Sequence, residues 1–576
     1  MSSSPSTESP TLSTVALFVL LAILAALLAA PAALYAWQKP TVANLLALSL
    51  SFGFYVSLGL LLRGRAVLVA VGAVVLVLNL IELVHLVSFG GLISLGGLRA
   101  ILYTDPTEAR EFVGEHLGAI AAGLLIAPLF VALVVLKARF DRLSRRPRLA
   151  AAALATLLPA ALLAGRLAVA GSPDDVYLPT RIIEHWAAWL GADPMKGTVS
   201  GLTDALAARR EFQMMRAARA ATPFEIVRDP PAPSELYVVV VGESSRRRNW
   251  GLYGYGRRTT PRLAEVPGLI VFRDAVSPAT TTGFSLPQSF YFPSPARDGT
   301  SQPVDSFVSA FRAAGFATFW LSNQGTHRTA VGNEIRLLMN EAETIATTNF
   351  GFWNTVLDGA LLAEVDHALA DPAPRKLVVV HTLGSHTNYR QRFPADWATR
   401  PLEPPARAVH TDPGLSAADA EVVDDYDRTI LYTDWLLSEI LARVGARDRY
   451  AAVVYFSDHG QRLYDDASHA KGHGFGDLKP LDVEIPLLAW LSPEFTRLNP
   501  AASRAVAAAA CRPVSTADVA ASMLDLARIA SPRIRPTPSL FAADGPPPER
   551  RVLTTNGRAV PYAPGAHTRI DCPTTP

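Results

Sequence analysis

Five apolar stretches crowd the first 170 residues, each long enough to cross a bilayer, which takes about 20 residues of helix. They run over 13–36, 42–62, 66–88, 117–137 and 149–170. The leader before the first, MSSSPSTESPTLST, has no Lys or Arg, and the apolar run after it is longer than the core of a signal peptide. It reads as a retained span. Residues 1–170 are therefore expected to form a five-helix transmembrane domain.

Orientation follows from basic residues in the short loops. Arg63 and Arg65 lie between spans two and three. Lys137, Arg139, Arg142, Arg145, Arg146 and Arg148 lie between spans four and five, against the single acid Asp141. Both loops are cytoplasmic if the N-terminus is, and an odd number of spans carries everything after about residue 171 to the opposite face. The loop 89–116 shares that outer face. It holds Thr104 and Glu108 in an acidic, polar run, which suits either a solvated loop with a helix start at Asp105-Pro106 or a contact with a lipid headgroup. His85 reads as interfacial.

Residues 171–234 read as interfacial or bridging helices, with Trp186 and Trp189 at helical spacing, closed by the stiff Asp229-Pro-Pro-Ala-Pro233 linker. Beyond Ser234, β-branched runs alternate with amphipathic helical windows: 236–242, 269–272, 317–322, 376–384, 450–460 and 485–492. Apolar strands separated by helices predict an α/β domain over 235–545 with a mainly parallel central sheet, followed by a tail over 546–576. The formal net charge of +2 over 576 residues leaves no basic domain for nucleic acid. The two cysteines, Cys511 and Cys572, form no metal-binding pair; one disulfide or two thiols both fit.

Catalytic groups of such sheets collect just past the carboxyl ends of strands. There the sequence delivers Glu243, Asp458, His459 and His386, with His473 shortly after. Each has an ordinary use alone: Glu243 as a helix cap, Asp458 in a turn, a histidine in solvent. Together at one rim they are oxygen and imidazole donors without thiolate, a set that suits zinc or manganese at an open catalytic site. The threonine run ending at Thr282 supplies a hydroxyl that a bound cation would activate; without the metal donors it would read as a helix cap.

Several motifs carry a resemblance. They are GES-x-R at 242–246 with LYGYGRRTTP at 252–261, the Thr run before Ser285-Leu-Pro287, Tyr426-Asp427 with Ile430–Asp434, and SDHG at 457–460. Over roughly residues 12–530 the chain resembles the phosphoethanolamine transferases of lipid A and lipopolysaccharide core, within the alkaline phosphatase and sulfatase superfamily. The resemblance implies an alkaline-phosphatase-like (sulfatase) fold. It also implies zinc, one ion or two, on Glu243, Thr282, Asp458 and His459, with Thr282 as the residue that becomes modified. It gives His386 and His473 to the phosphate group or a second zinc, and Asn323, Thr104 and Glu108 to substrate. The partners implied are phosphatidylethanolamine as donor, a lipopolysaccharide or other periplasmic acceptor, and the lipids of a bacterial inner membrane. Rival readings are a glycerophosphate transferase or a sulfatase of the same layout, and a non-catalytic protein of the same fold. A sulfatase, however, would carry Cys or Ser in a C/S-x-P-x-R segment, which is not found around Thr282.

Overall fold

The computed structural model describes residues 10–38, 40–62, 64–89, 113–114, 117–141, 143–170, 225–292, 305–324, 333–349, 356–411, 414–447, 449–466, 469–475, 478–532, 539–541, 550–554 and 559–562. Thr104, Glu108, most of the expected bridging segment and Cys572 lie outside these residues. Cys511 is disulfide-bonded. The chain divides into two compact units, Met1–Ser94 with Phe112–Gly197, and Leu95–Glu111 with Thr198–Pro576.

The first unit is helical: α1 (Pro10–Leu28), α2 (Ala30–Gln38), α3 (Val42–Leu61), α4 (Arg65–Phe89), α5 (Leu117–Phe140) and α6 (Arg145–Ala170). The first expected span is broken. Pro31 has no N–H to give Leu27 and its ring crowds that carbonyl, and α1 and α2 meet at 57°. Among the described residues three helices are long and apolar enough to cross a membrane, or four if the bent pair is one span. α3 starts on Thr41, whose hydroxyl accepts from the Asn44 amide at 3.1 Å. It lies close along α6 because small residues meet there. A Cβ built on Gly53 would fall 1.8 Å from the Ala155 carbonyl, and Ser57 Oγ donates to Ala152 O at 2.8 Å.

The basic loop before α6 folds back on α3. Asp141 binds Lys137 at 2.7 Å and Arg148 at 2.5 Å, all three nearly buried. Lys137 Nζ then donates to Leu62 O at 3.2 Å and Arg148 Nη1 to Leu60 O at 2.8 Å, capping carbonyls that the end of α3 leaves without helical partners.

The second unit is built on a seven-stranded sheet: β1 (Glu235–Gly242), β2 (Leu269–Val271), β3 (Ala317–Ser322), β4 (Thr344–Thr347), β5 (Arg375–His381), β6 (Tyr450–Ser457) and β7 (Leu487–Leu491), in spatial order β2-β7-β6-β1-β5-β3-β4. The ladders of β1 with β5 and β6, and of β3 with β4 and β5, are parallel. β7 runs antiparallel to both its neighbours, so the sheet is mixed. Every residue of β1 is buried, and its side chains alternate between two cores. Tyr237, Val239 and Val241 join Phe290, Phe307, Phe311 and Trp320, from the face covered by α7 (Thr282–Phe290), α8 (Phe307–Ala313) and α11 (Val519–Ala527). Leu236, Val238 and Val240 join Leu361, Tyr426 and Leu437, on the face covered by α9 (Leu361–Ala370) and α10 (Ala417–Gly445). Burial on both faces explains why the strands read as continuous apolar runs.

Candidate metal centre

β1 and β6 are neighbours in register, with Gly242 opposite Ser457, so the residues that follow them leave the sheet side by side. Glu243, Asp458 and His459 are all buried and present ligand atoms within 4.8 Å of one another. Ser244 takes a left-handed turn, φ 54°, which aims its amide at Asp458 Oδ1, 2.9 Å away. The His459 amide donates to the same oxygen at 2.7 Å. Gly384, at φ 49°, packs beside Glu243 so closely that a Cβ there would lie 2.8 Å from the Glu243 N and O atoms.

Thr282 is the first residue of α7. Its Oγ1 donates to Glu243 Oε2 at 3.2 Å and lies 3.4 Å from His459 Nε2. The segment before it is tied to the same turn: Ser277 and Ser285 both donate to the Asp458 carbonyl, Ser285 at 2.5 Å.

The donor set fits a cation. Asp458 Oδ2 is buried with no hydrogen-bond partner, a cost of about 1–3 kcal/mol that a bound cation would remove. His459 Nδ1 donates to Gly460 O, 2.8 Å away, which leaves Nε2 as the nitrogen that faces the two carboxylates, 3.3 Å from Glu243 and 3.4 Å from Asp458, and that a cation would bind once its proton is displaced. The electrostatics agree. Burial would raise Glu243, but the hydrogen bond and charge of His459 hold it low. Asp458 is raised, by burial and then by the Glu243 charge. Burial would lower His459, but Asp458 and Glu243 lift it to about 9. Without a metal the cluster retains a proton in its place.

His473 packs tilted against His459, with ring centroids 4.1 Å apart and planes at 41°, and the His386 ring lies 6.5 Å from that of His473. Burial and the neighbouring His459 push the His473 imidazole well below its usual value. His469, four residues before His473, is exposed and faces Asp419 at 3.3 Å instead. Asn323 is fully buried in the rim: it donates to Val356 O and Asp358 Oδ1, both at 2.8 Å, and accepts from Thr348 at 2.7 Å. Its neighbour Gln324 faces the centre instead, donating to Glu243 Oε2 at 3.3 Å and Thr382 O at 2.8 Å. Gln324 and Gln461 were not singled out from sequence. Both follow strands at the same rim, and that position was their one available signal.

A sequence model of the family described as Sulfatase matches residues 235–529. Among curated proteins, the phosphoethanolamine transferase EptC of Escherichia coli O18:K1:H7 is 32% identical over 278 residues, 46% of each chain. The Kdo(2)-lipid A phosphoethanolamine 7''-transferase of E. coli K12 is 28% identical over 282 residues, 48% of each. The chain spans about half the length of the curated relatives it matches. Among solved structures, the periplasmic domain of E. coli EptC in complex with Zn has a TM-score of 0.52 at 27% identity, covering 59% of this chain and 95% of that one. The integral membrane lipooligosaccharide phosphoethanolamine transferase A of Neisseria meningitidis has a TM-score of 0.63 and covers 90% of this chain and 97% of its own, a likeness of fold at 19% identity.

Proposed function

This chain belongs to the sulfatase family, and from that premise we propose that it transfers phosphoethanolamine from phosphatidylethanolamine to a lipopolysaccharide acceptor through a phosphothreonine at Thr282. The observation that carries this reading is the Thr282 hydroxyl seated 3.2 Å from Glu243 in a cluster built for a cation. A sulfatase would instead carry Cys or Ser in C/S-x-P-x-R, whereas residues 282–286 read Thr-Gly-Phe-Ser-Leu. The names of the relatives support the same choice.

In the first step Thr282 Oγ1 attacks the phosphorus of the donor and the bond to the diacylglycerol oxygen breaks. The hydroxyl proton is given up to solvent before the attack, and the freed diacylglycerol oxygen takes up a proton as it leaves. In the second step an acceptor oxygen attacks the phosphothreonine from the opposite side and frees Thr282. A divalent cation, for which zinc is our choice, held by Glu243, Thr282, Asp458 and His459, would lower the pKa of the hydroxyl and offset the charge that develops. His386 and His473 face the transferred group: a ring that carries a proton there serves its equatorial oxygens or the leaving oxygen, and a ring that presents a lone pair takes the proton of the incoming acceptor oxygen. Asn323 acts through the rim that presents Gln324, and Thr104 and Glu108 meet the lipid.

Both substrates are amphiphiles, which gives the helical unit its purpose: holding the site in the layer where they lie raises their effective concentration. We assign it five spans in a bacterial inner membrane, with α1 and α2 as one bent span, α5 the fourth, the N-terminus cytoplasmic and the catalytic unit periplasmic. The basic loops support that orientation.

Intact mass of the detergent-solubilised protein after incubation with phosphatidylethanolamine and zinc tests the reading. We expect a phosphoethanolamine-sized adduct on the wild type and none on Thr282→Ala. A zinc-loaded wild type that gains no adduct would overturn it.

A further inference from the structure

Gln461 directly follows the turn that supplies Asp458 and His459, yet it takes no part in the steps above. It is fully buried. Its Oε1 lies 2.9 Å from His473 Nδ1, and its Nε2 donates to the Tyr389 hydroxyl. Its backbone carbonyl accepts from Arg246 Nη1 at 3.3 Å. Tyr389 is itself buried and packs edge-on against Tyr426, centroids 5.0 Å apart. The amide is thus held at both ends by side chains of the core.

An amide oxygen accepts and does not donate. The nitrogen of His473 that faces it must therefore be the protonated one, and the other nitrogen, Nε2, carries the lone pair. The ring plane is set by the same bond together with the tilted packing against His459, centroids 4.1 Å apart. Arg462–Leu463 and Lys471–Gly472 pair antiparallel, and the hairpin so formed, which carries His473, adds a third restraint, since Gly474, at φ 76°, packs against Thr281, where a Cβ would meet Cγ2 at 3.3 Å.

We propose that Gln461 is a positioning residue for the transfer reaction, fixing the tautomer and ring orientation of His473 so that the Nε2 lone pair faces the transferred group and takes the proton of the incoming acceptor oxygen. This rests on the transfer reading given above. A bystander role, in which Gln461 only satisfies its own buried amide, makes different predictions.

The test uses the full-length protein in detergent, loaded with zinc, as wild type, Gln461→Leu and Gln461→Glu. Gln461→Leu is expected to lower kcat by about 10- to 100-fold with KM and zinc content unchanged. Gln461→Glu keeps an acceptor for the Nδ1 proton and should recover most of that loss. Nitrogen-15 spectra of histidine-labelled protein, with the His473 signals assigned by their loss in His473→Ala, should show the Nδ1-protonated form in wild type and its loss in Gln461→Leu. Unchanged kcat in Gln461→Leu, or a fall in kcat that merely tracks lost zinc and lost thermal stability, would overturn the proposal. So would a wild-type His473 protonated on Nε2. If the wild type transfers nothing, the transfer reading falls, and the nitrogen spectra still decide what Gln461 does to His473.

Discussion

The Oγ1 of Thr282 lies 3.2 Å from Oε2 of Glu243, two atoms brought together across 39 residues of sequence. The proposed nucleophile is held in place by the fold itself, because α7 begins at Thr282 and the serines on either side bind the Asp458 carbonyl.

Thr282→Ala should therefore cost chemistry far more than metal binding. It removes one of the four proposed donors and leaves Glu243, Asp458 and His459 in place, so zinc should bind more weakly, yet elemental analysis at saturating zinc should still find it. Transfer should fall by about a thousandfold or more, as for loss of other covalent nucleophiles. Residual turnover near the wild-type rate would point to another hydroxyl.

Zinc affinity should rise with pH. The metal-free cluster holds the His459 proton up to about pH 9, because Asp458 and Glu243 outweigh the effect of burial. A metal must displace that proton, so its affinity should gain about tenfold per unit between pH 7 and 9 and level off above. Competition titrations against a chelator read this directly, and a flat profile would contradict the protonated cluster.

Gly384→Ala should damage the centre without touching a ligand. The backbone there is left-handed, and the new methyl group would meet the Glu243 backbone at 2.8 Å. Neither side can yield cheaply, so a stability loss of about 2 kcal/mol or more is expected, with activity falling alongside. Thermal unfolding followed with the activity assay would show both.

Arg148→Met should destabilise the helical unit. It removes the stronger of the two cations on the buried Asp141 and uncaps the Leu60 carbonyl. A loss of about 3 kcal/mol is expected, seen as a lower Tm in detergent, and Asp141→Asn added to it should restore part of that loss.

Much of this centre was legible in the sequence because its parts obey one rule. Continuous apolar runs mark buried strands, and polar residues just past their ends gather at one rim, which found Glu243, Asp458, His459 and His386. The rule gives a residue's place and not its direction. Asn323 and Gln324 both end β3, yet one turns into the scaffold and the other toward Glu243. The direction of β7 was hidden for a related reason, since a strand buried on both faces reads the same either way along the sheet. Pro31 was visible inside the first apolar stretch, but the hydropathy that defined the stretch gives no weight to a missing N–H.

The pairing of Gly242 with Ser457 has a consequence for how such a chain can diversify. One residue inserted into or deleted from β1 or β6 would carry Glu243 past Asp458 by about 3.3 Å and turn its side chain to the other face. Length variation in these two strands is therefore closed to drift. New specificities have to come from the connecting segments, such as the hairpin between His459 and His473, where insertions change what reaches the centre and leave its donors in place.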